Sequence, residues 1–147
     1  MSENAQEKYL IFTVQDKRYA LPSVIISEVA VLEKVFPLPL VPPYIKGIIN
    51  RYSVPYALVD ISLLFLDDES QAKKVIVLKE EIDKLALLID DVSDIADLYA
   101  EQLIKTDASE TEIAASVNAF FEWKGNQVFC IDTDELLNRI KKDFENL

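Results

Sequence analysis

The chain has 147 residues, half of them apolar and 28% charged, with a net charge of −11 from 26 acidic and 15 basic side chains. Length and composition fit one globular domain, or two small intimate subdomains, and exclude a disordered chain. The acidity argues against nucleic acid and against direct contact with an anionic membrane surface, since phosphate groups would be repelled and no local basic patch offsets this.

Residues 1–7 are polar and predict a flexible end. Tyr9 to Val14 is rich in β-branched and aromatic residues, and Gln15 to Arg18 turns the chain into Tyr19-Ala20-Leu21, which predicts a β-hairpin. Pro22 and Ser23 then start a single helical turn. Ile26 to Val35 predicts a strand. Four prolines between Phe36 and Pro43 make the next stretch an extended apolar connector, because each removes a ladder donor. Ile48-Ile49 and Ala57-Leu58-Val59 predict two short buried strands around the turn Asn50 to Ser53, and Asp60 caps a short helix carrying Leu63, Leu64 and Phe65. Gly47 is one of two glycines in the chain, so it marks a close approach or a positive φ.

After an acidic loop at Leu66 to Ala72, Lys73 to Lys79 and Leu85 to Ile89 predict a second pair of strands. An internal repeat emerges at an offset of 66: Leu10-Ile11-Phe12 lies over Ile76-Val77-Leu78, Tyr19-Ala20-Leu21 over Leu85-Ala86-Leu87, and Ile26 to Ala30 over Val92 to Ala96. At a slightly larger offset Asp60 before Leu63-Leu64 matches Asp132 before Leu136-Leu137. Tyr99 to Glu112 reads as a connecting loop, and Val117 to Trp123 and Gln127 to Ile131 as the last two strands about the turn Lys124-Gly125-Asn126. Asp132 with Glu135 three residues on predicts a capping box, and Leu136, Leu137, Ile140 and Phe144 a helical apolar stripe with Lys141 and Lys142 near its C-terminus.

Chemistry is sparse. There is no histidine, which removes the commonest general base and metal ligand. Two widely separated glycines cannot build a phosphate-cradling loop. The cluster Asp90-Asp91-Val92-Ser93-Asp94 could hold a hard cation only if its carboxylates converged, and strand alternation sends Asp90 and Asp91 to opposite faces. Cys130 sits in an apolar run as a small core residue, and Phe120, Phe121 and Trp123 read as core plus a hairpin end. We therefore expect no enzyme, no cofactor and no metal. The start of the chain lacks a signal-peptide pattern, and no uncharged run approaches the ~20 residues of a membrane helix, so a cytoplasmic protein is expected.

The run Pro43-Tyr44-Ile45-Lys46-Gly47-Ile48-Ile49-Asn50, a short turn, a strand and Val59-Asp60 resembles the centre of CheW-like domains. Ile89-Asp90-Asp91-Val92-Ser93-Asp94-Ile95 followed by Ala100 to Leu103, the opening Tyr9 to Phe12, and the closing Ile131-Asp132 to Leu137 are similar to further parts of that family. The resemblance implies a mostly β fold of two SH3-like five-stranded barrels side by side with a short C-terminal helix. It places one domain over residues 8–142, with halves at about 8–72 and 73–142 and flexible ends at 1–7 and 143–147. It further implies a non-catalytic adaptor that couples the cytoplasmic tips of methyl-accepting chemoreceptors to the regulatory domain of the histidine kinase CheA. By position, Ile26, Glu28 and Gly47 match the receptor-binding groove, with Glu28 orienting a neighbouring basic side chain.

The turn departs from the family's Asn-Leu-Arg-Gly. Asn50-Arg51-Tyr52-Ser53 places Tyr52 at the functional arginine position and Arg51 one residue earlier, facing the other way in extended chain. The missing glycine implies that a turn residue at positive φ is lost. A divergent paralogue is the resulting expectation. The alternatives are a kinase-binding spacer without receptor contact, and a small ligand-binding β-barrel built around Phe120, Phe121 and Trp123.

Overall fold

The computed structural model describes residues 5–105 and 116–147. Strands β1 (Glu7–Val14) and β2 (Lys17–Pro22) form the expected hairpin, and Ser23–Ile25 makes the single 3-10 turn after Pro22. Then follow β3 (Ile26–Val31), β4 (Ile45–Arg51), β5 (Val54–Asp60), helix α1 (Ile61–Leu66), β6 (Lys74–Leu78), β7 (Leu85–Ile89) and β8 (Asp91–Leu98). A short β9 (Ile104–Lys105), β10 (Val117–Trp123), β11 (Asn126–Ile131) and helix α2 (Thr133–Glu145) complete the chain. Two sheets result, with strand orders β8-β1-β2-β11-β10-β9 and β3-β6-β7-β5-β4. The mostly β, two-part architecture with a C-terminal helix is therefore present, as open six- and five-stranded sheets.

The repeat explains how the sheets are built. Each joins two strands from one half of the repeat to three equivalent strands from the other: β1 and β2 with β8, β10 and β11, and β6 and β7 with β3, β4 and β5; the short β9 adds a sixth strand to the first sheet. The parallel contacts occupy one register, since Tyr19 opposes Phe129 and Leu85, 66 positions after Tyr19, opposes Ala57, 72 positions before Phe129. Bulges recur too. Ser27 is skipped in the β3–β6 ladder and Ser93 in the β1–β8 ladder, as are Lys46 in β4 and Asn118 in β10. An extra residue at each point bends the strand and raises its twist.

Alternation on β1 divides the core. Leu10, Phe12 and Val14 enter a cluster with Leu78, Leu87, Ile61 and Leu136, which joins both sheets and both helices. Tyr9 and Ile11 enter a second cluster with Ala20, Phe121, Val128 and Cys130. A third, around Ile49, Leu58, Val77 and Ala86, is its counterpart in the other sheet. Fully burying one such side chain stabilises by roughly 1.5–3 kcal/mol.

Several expectations need correction. Beyond Val31 the chain leaves the sheet, short of the expected end of that strand at Val35, and Leu32 returns only one bond, from its amide to the Lys73 carbonyl. Between Tyr99 and Glu112 the described part holds a 3-10 turn at Ala100–Gln102 and β9 in place of a plain loop; residues 106–112 of that stretch lie outside the described residues. The connector touches β4 through reciprocal bonds between Phe36 and Ile48, yet Leu38 and Leu40 stay exposed. At α2, Asp132 accepts from the Glu135 amide as predicted. The Asp132 amide, however, donates to the Ser116 carbonyl, so it is already satisfied without the Glu135 side chain. Phe144 is also exposed, because the helix has by then passed the edge of the core.

Candidate functional site

The turn between β4 and β5 is a two-residue hairpin connection, with Tyr52 at φ 51° and Ser53 at φ 66°. Both central residues at positive φ make it a type I′ geometry, whose twist suits the flanking strands. The expectation of a lost positive-φ residue is thus overturned: non-glycine residues adopt it, at a cost of about 1–2 kcal/mol per residue. Arg51 closes β4 opposite Val54, and Tyr52 stands in the turn itself, where strand alternation no longer dictates its direction.

Both side chains reach one carboxylate. Arg51 Nε donates to Glu28 Oε1 at 2.6 Å, and the Tyr52 hydroxyl donates a longer bond of 3.4 Å to Glu28 Oε2. The Arg51 guanidinium lies 5.4 Å from the Tyr52 ring centroid, within cation–π range. The expectation that Arg51 would face away is therefore corrected by the rebuilt turn. Glu28 and Arg51 are each about three-quarters covered, at 23% and 25% side-chain exposure, whereas Tyr52 is 83% exposed. Donation to Glu28 raises the Arg51 pKa still further, so the guanidinium keeps its charge.

Ile26 lies two residues before Glu28 on the same half-buried face of β3 and packs against the central cluster. Gly47 is buried in β4 at φ 141°, and a Cβ there would stand 2.3 Å from the Phe36 carbonyl oxygen. Its role is to let the connector cross β4. Glu28, Arg51 and Tyr52 thus form one constellation; Gly47 shapes the backbone beside it, and Ile26 anchors β3 underneath. Sequence reasoning missed the apolar rim. Val29, Val31 and Phe36 are exposed, and a cleft of about 220 Å³ between the end of β3, the connector and β4 is walled by Val31, Phe36, Ile49 and Arg51. The Val29–Val31 alternation, opposite in phase to Ile26 and Glu28, is the signal that could have revealed it.

The other candidates disperse. Phe121 is fully buried, Phe120 faces the opposite side of β10 and packs on Phe129, and Trp123 is at the hairpin tip, so the three do not line one cavity. In the acidic cluster Asp90 accepts from the Gln15 amide, Asp91 from Lys74, and Asp94 from Trp123 and Lys124. Among the described residues no three potential ligands converge on a metal position. Burial pushes the Cys130 thiol up to about 12, which keeps it protonated and unreactive. No helix among the described residues is long and apolar enough to cross a membrane.

Comparison with known proteins finds that the family model of the CheW-like domain matches residues 8–141. The chain is 28% identical over 106 residues to a protein of Klebsiella aerogenes named chemotaxis protein CheW, a match covering 69% of this chain and 63% of that relative's length. Its fold is similar to the crystal structure of the scaffolding protein TtCheW from Thermoanaerobacter tengcongensis. That match has a TM-score of 0.76 and 18% identity, and covers 86% of this chain and 84% of that one.

Proposed function

This chain belongs to the CheW-like domain family, and from that premise we propose that it is a non-catalytic cytoplasmic adaptor coupling the tips of chemoreceptors to the regulatory domain of the histidine kinase CheA. The observation that carries this reading is the Glu28–Arg51–Tyr52 constellation: a partly sheltered ion pair holding up an exposed aromatic ring beside an apolar rim. Such a surface suits a helical hairpin that brings one apolar and one polar side chain to the same spot. Ion pairs of this kind set orientation and specificity more than affinity.

Calorimetric titration tests the proposal. The chain is titrated against the CheA regulatory domain and against a receptor-tip fragment, with Arg51→Glu and Tyr52→Arg alongside. Binding of both by the wild type, with at least tenfold loss for the receptor fragment alone in Arg51→Glu, supports the adaptor. Kinase binding with no receptor binding, restored by Tyr52→Arg, identifies a spacer whose receptor contact has lapsed. Binding of neither partner removes the proposal.

A further inference from the structure

Tyr56 stands in the third core cluster with a hydroxyl that the chain does not use. Its ring is grouped with Ile49, Leu58 and Val77, and the residue is only 6% exposed. Among the described residues its oxygen has no hydrogen-bond partner, yet it is not sealed in; the one sealed, unpartnered side-chain oxygen there is Ser116 Oγ. The Tyr56 oxygen therefore opens to solvent from an otherwise covered side chain. A buried tyrosine normally gives its hydroxyl a partner. Packing alone does not ask for a phenol here, as the repeat shows. Val128 opposes Phe121 in the other sheet as Tyr56 opposes Ile49, 72 positions earlier, and Val128 fills that place fully buried.

A cleft of about 570 Å³ opens at this corner, lined by Ser27, Tyr56, Lys79, Glu80 and Glu81. That size is within the range of small-ligand sites. Ser27 is the residue skipped in the β3–β6 ladder, so the bulge sets its exposed hydroxyl apart from the strand pairing. The Lys79 carbonyl accepts from the Ile82 and Asp83 amides, which fixes the turn between β6 and β7. Glu80 is spoken for by Lys84 at 3.9 Å, whereas Lys79, half-buried, and Glu81, exposed, make no ion pair among the described residues. One free ammonium and one free carboxylate thus share a cleft with two hydroxyls. The equivalent corner of the other sheet, 66 positions earlier, reads Thr13-Val14-Gln15 and carries no charge, and the Thr13 hydroxyl is given to the Asp91 carbonyl.

The charges select the ligand. A plain anion drawn to Lys79 meets Glu80 and Glu81, and a plain cation drawn to Glu81 meets Lys79. A molecule with one charge of each sign satisfies both groups and gains two charge-assisted hydrogen bonds. We propose that this cleft binds a small zwitterion of the α-amino-acid class, with its carboxylate on Lys79, its ammonium on Glu81, and its polar side on the Tyr56 and Ser27 hydroxyls. The site uses none of Glu28, Arg51 and Tyr52 and does not depend on the adaptor reading.

The test is an NMR titration of the isotope-labelled full chain, following backbone amides, with L-glutamine and L-serine as probes. Two halves of the first probe serve for comparison: glutaramate, which lacks the ammonium, and γ-aminobutyramide, which lacks the carboxylate. Saturable shifts centred on Ser27, Lys79 and Glu81 are expected, with a dissociation constant of about 1 mM for a ligand of roughly ten heavy atoms. Each half should bind at least fivefold more weakly than L-glutamine, since it forfeits one charge-assisted contact. Lys79→Gln should weaken L-glutamine at least fivefold and leave γ-aminobutyramide within twofold. Glu81→Gln should do likewise, with glutaramate as the indifferent probe. Tyr56→Phe should weaken L-glutamine about threefold at an unchanged urea midpoint, because the lost hydroxyl has no partner within the chain. No saturable shift with either amino acid up to about 20 mM overturns the site. Halves that bind as well as L-glutamine, or binding indifferent to both Lys79→Gln and Glu81→Gln, overturn it too.

Discussion

Replacing Gly47 by alanine probes the close crossing on which the β4–β5 tip is mounted. At φ 141° the backbone of Gly47 lies where an L side chain is strained, and the new Cβ would meet Phe36 O at 2.3 Å, Phe36 C at 2.8 Å and Pro37 Cα at 3.0 Å. All three are main-chain atoms, so no side chain can rotate aside; the connector must retreat by about 1 Å to reach ordinary contact distance. That retreat weakens two reciprocal bonds, Phe36 N to Ile48 O and Ile48 N to Phe36 O, both 2.8 Å. Backbone strain of ~1–3 kcal/mol plus two bonds of ~0.5–1.5 kcal/mol each gives a destabilisation of about 2–6 kcal/mol. Against a total stability of ~5–15 kcal/mol this is large. Urea unfolding followed by circular dichroism, extrapolated linearly, measures it. Gly125→Ala is the control, since its φ is 81° but no heavy atom lies within 4 Å of the added Cβ; only ~1–2 kcal/mol is expected there. A Gly47→Ala variant no less stable than Gly125→Ala would refute the crossing argument.

Ser53→Gly is expected to stabilise the chain by roughly 1 kcal/mol, because Ser53 holds φ 66° without being glycine; a higher urea midpoint at unchanged slope would show it. Glu28→Ala strands a three-quarters-covered Arg51 and removes a partner from Tyr52, so a loss of about 1–2 kcal/mol is expected, and in Arg51→Ala/Glu28→Ala the two losses should add to less than their sum. The two helix caps should differ. Asp60 is fully buried and accepts from the Leu63 and Ser70 amides, so Asp60→Ala is expected to cost ~3 kcal/mol, against ~1 kcal/mol for Asp132→Ala at a solvated cap. Burial pushes Cys130, Tyr9 and Tyr19 up to about 12. Stability from holding these groups neutral is complete below their unfolded values of ~8.5 and ~10, and is lost as pH climbs toward 12. The urea midpoint should therefore fall between pH 8 and pH 11, and less so in Cys130→Ala.

Much of this molecule was legible along the chain, because its signals are local. The β-branched and aromatic run Tyr9 to Val14 marked β1, the prolines of 37–43 excluded regular structure, and Asp60 and Asp132 announced both helices through caps that need only the amide three residues on. The offset repeat was visible as well, since equivalent strands bury equivalent side chains. Tertiary structure alone decided which strands pair. Nothing local tells β1 to join β8, about 80 positions away, and β3 to join β6, since each edge would accept either neighbour and the difference lies in the summed burial of three clusters. The candidate site was half legible for the same reason. Glu28 was recognisable on its strand, but the side on which Arg51 falls depends on the turn, where an energy of about 1 kcal/mol per residue separates positive from negative φ. Such a term is too small to read from four residues. It is outweighed by six paired positions of the β4–β5 ladder, which fix the turn at two residues and bring Arg51 and Tyr52 onto Glu28.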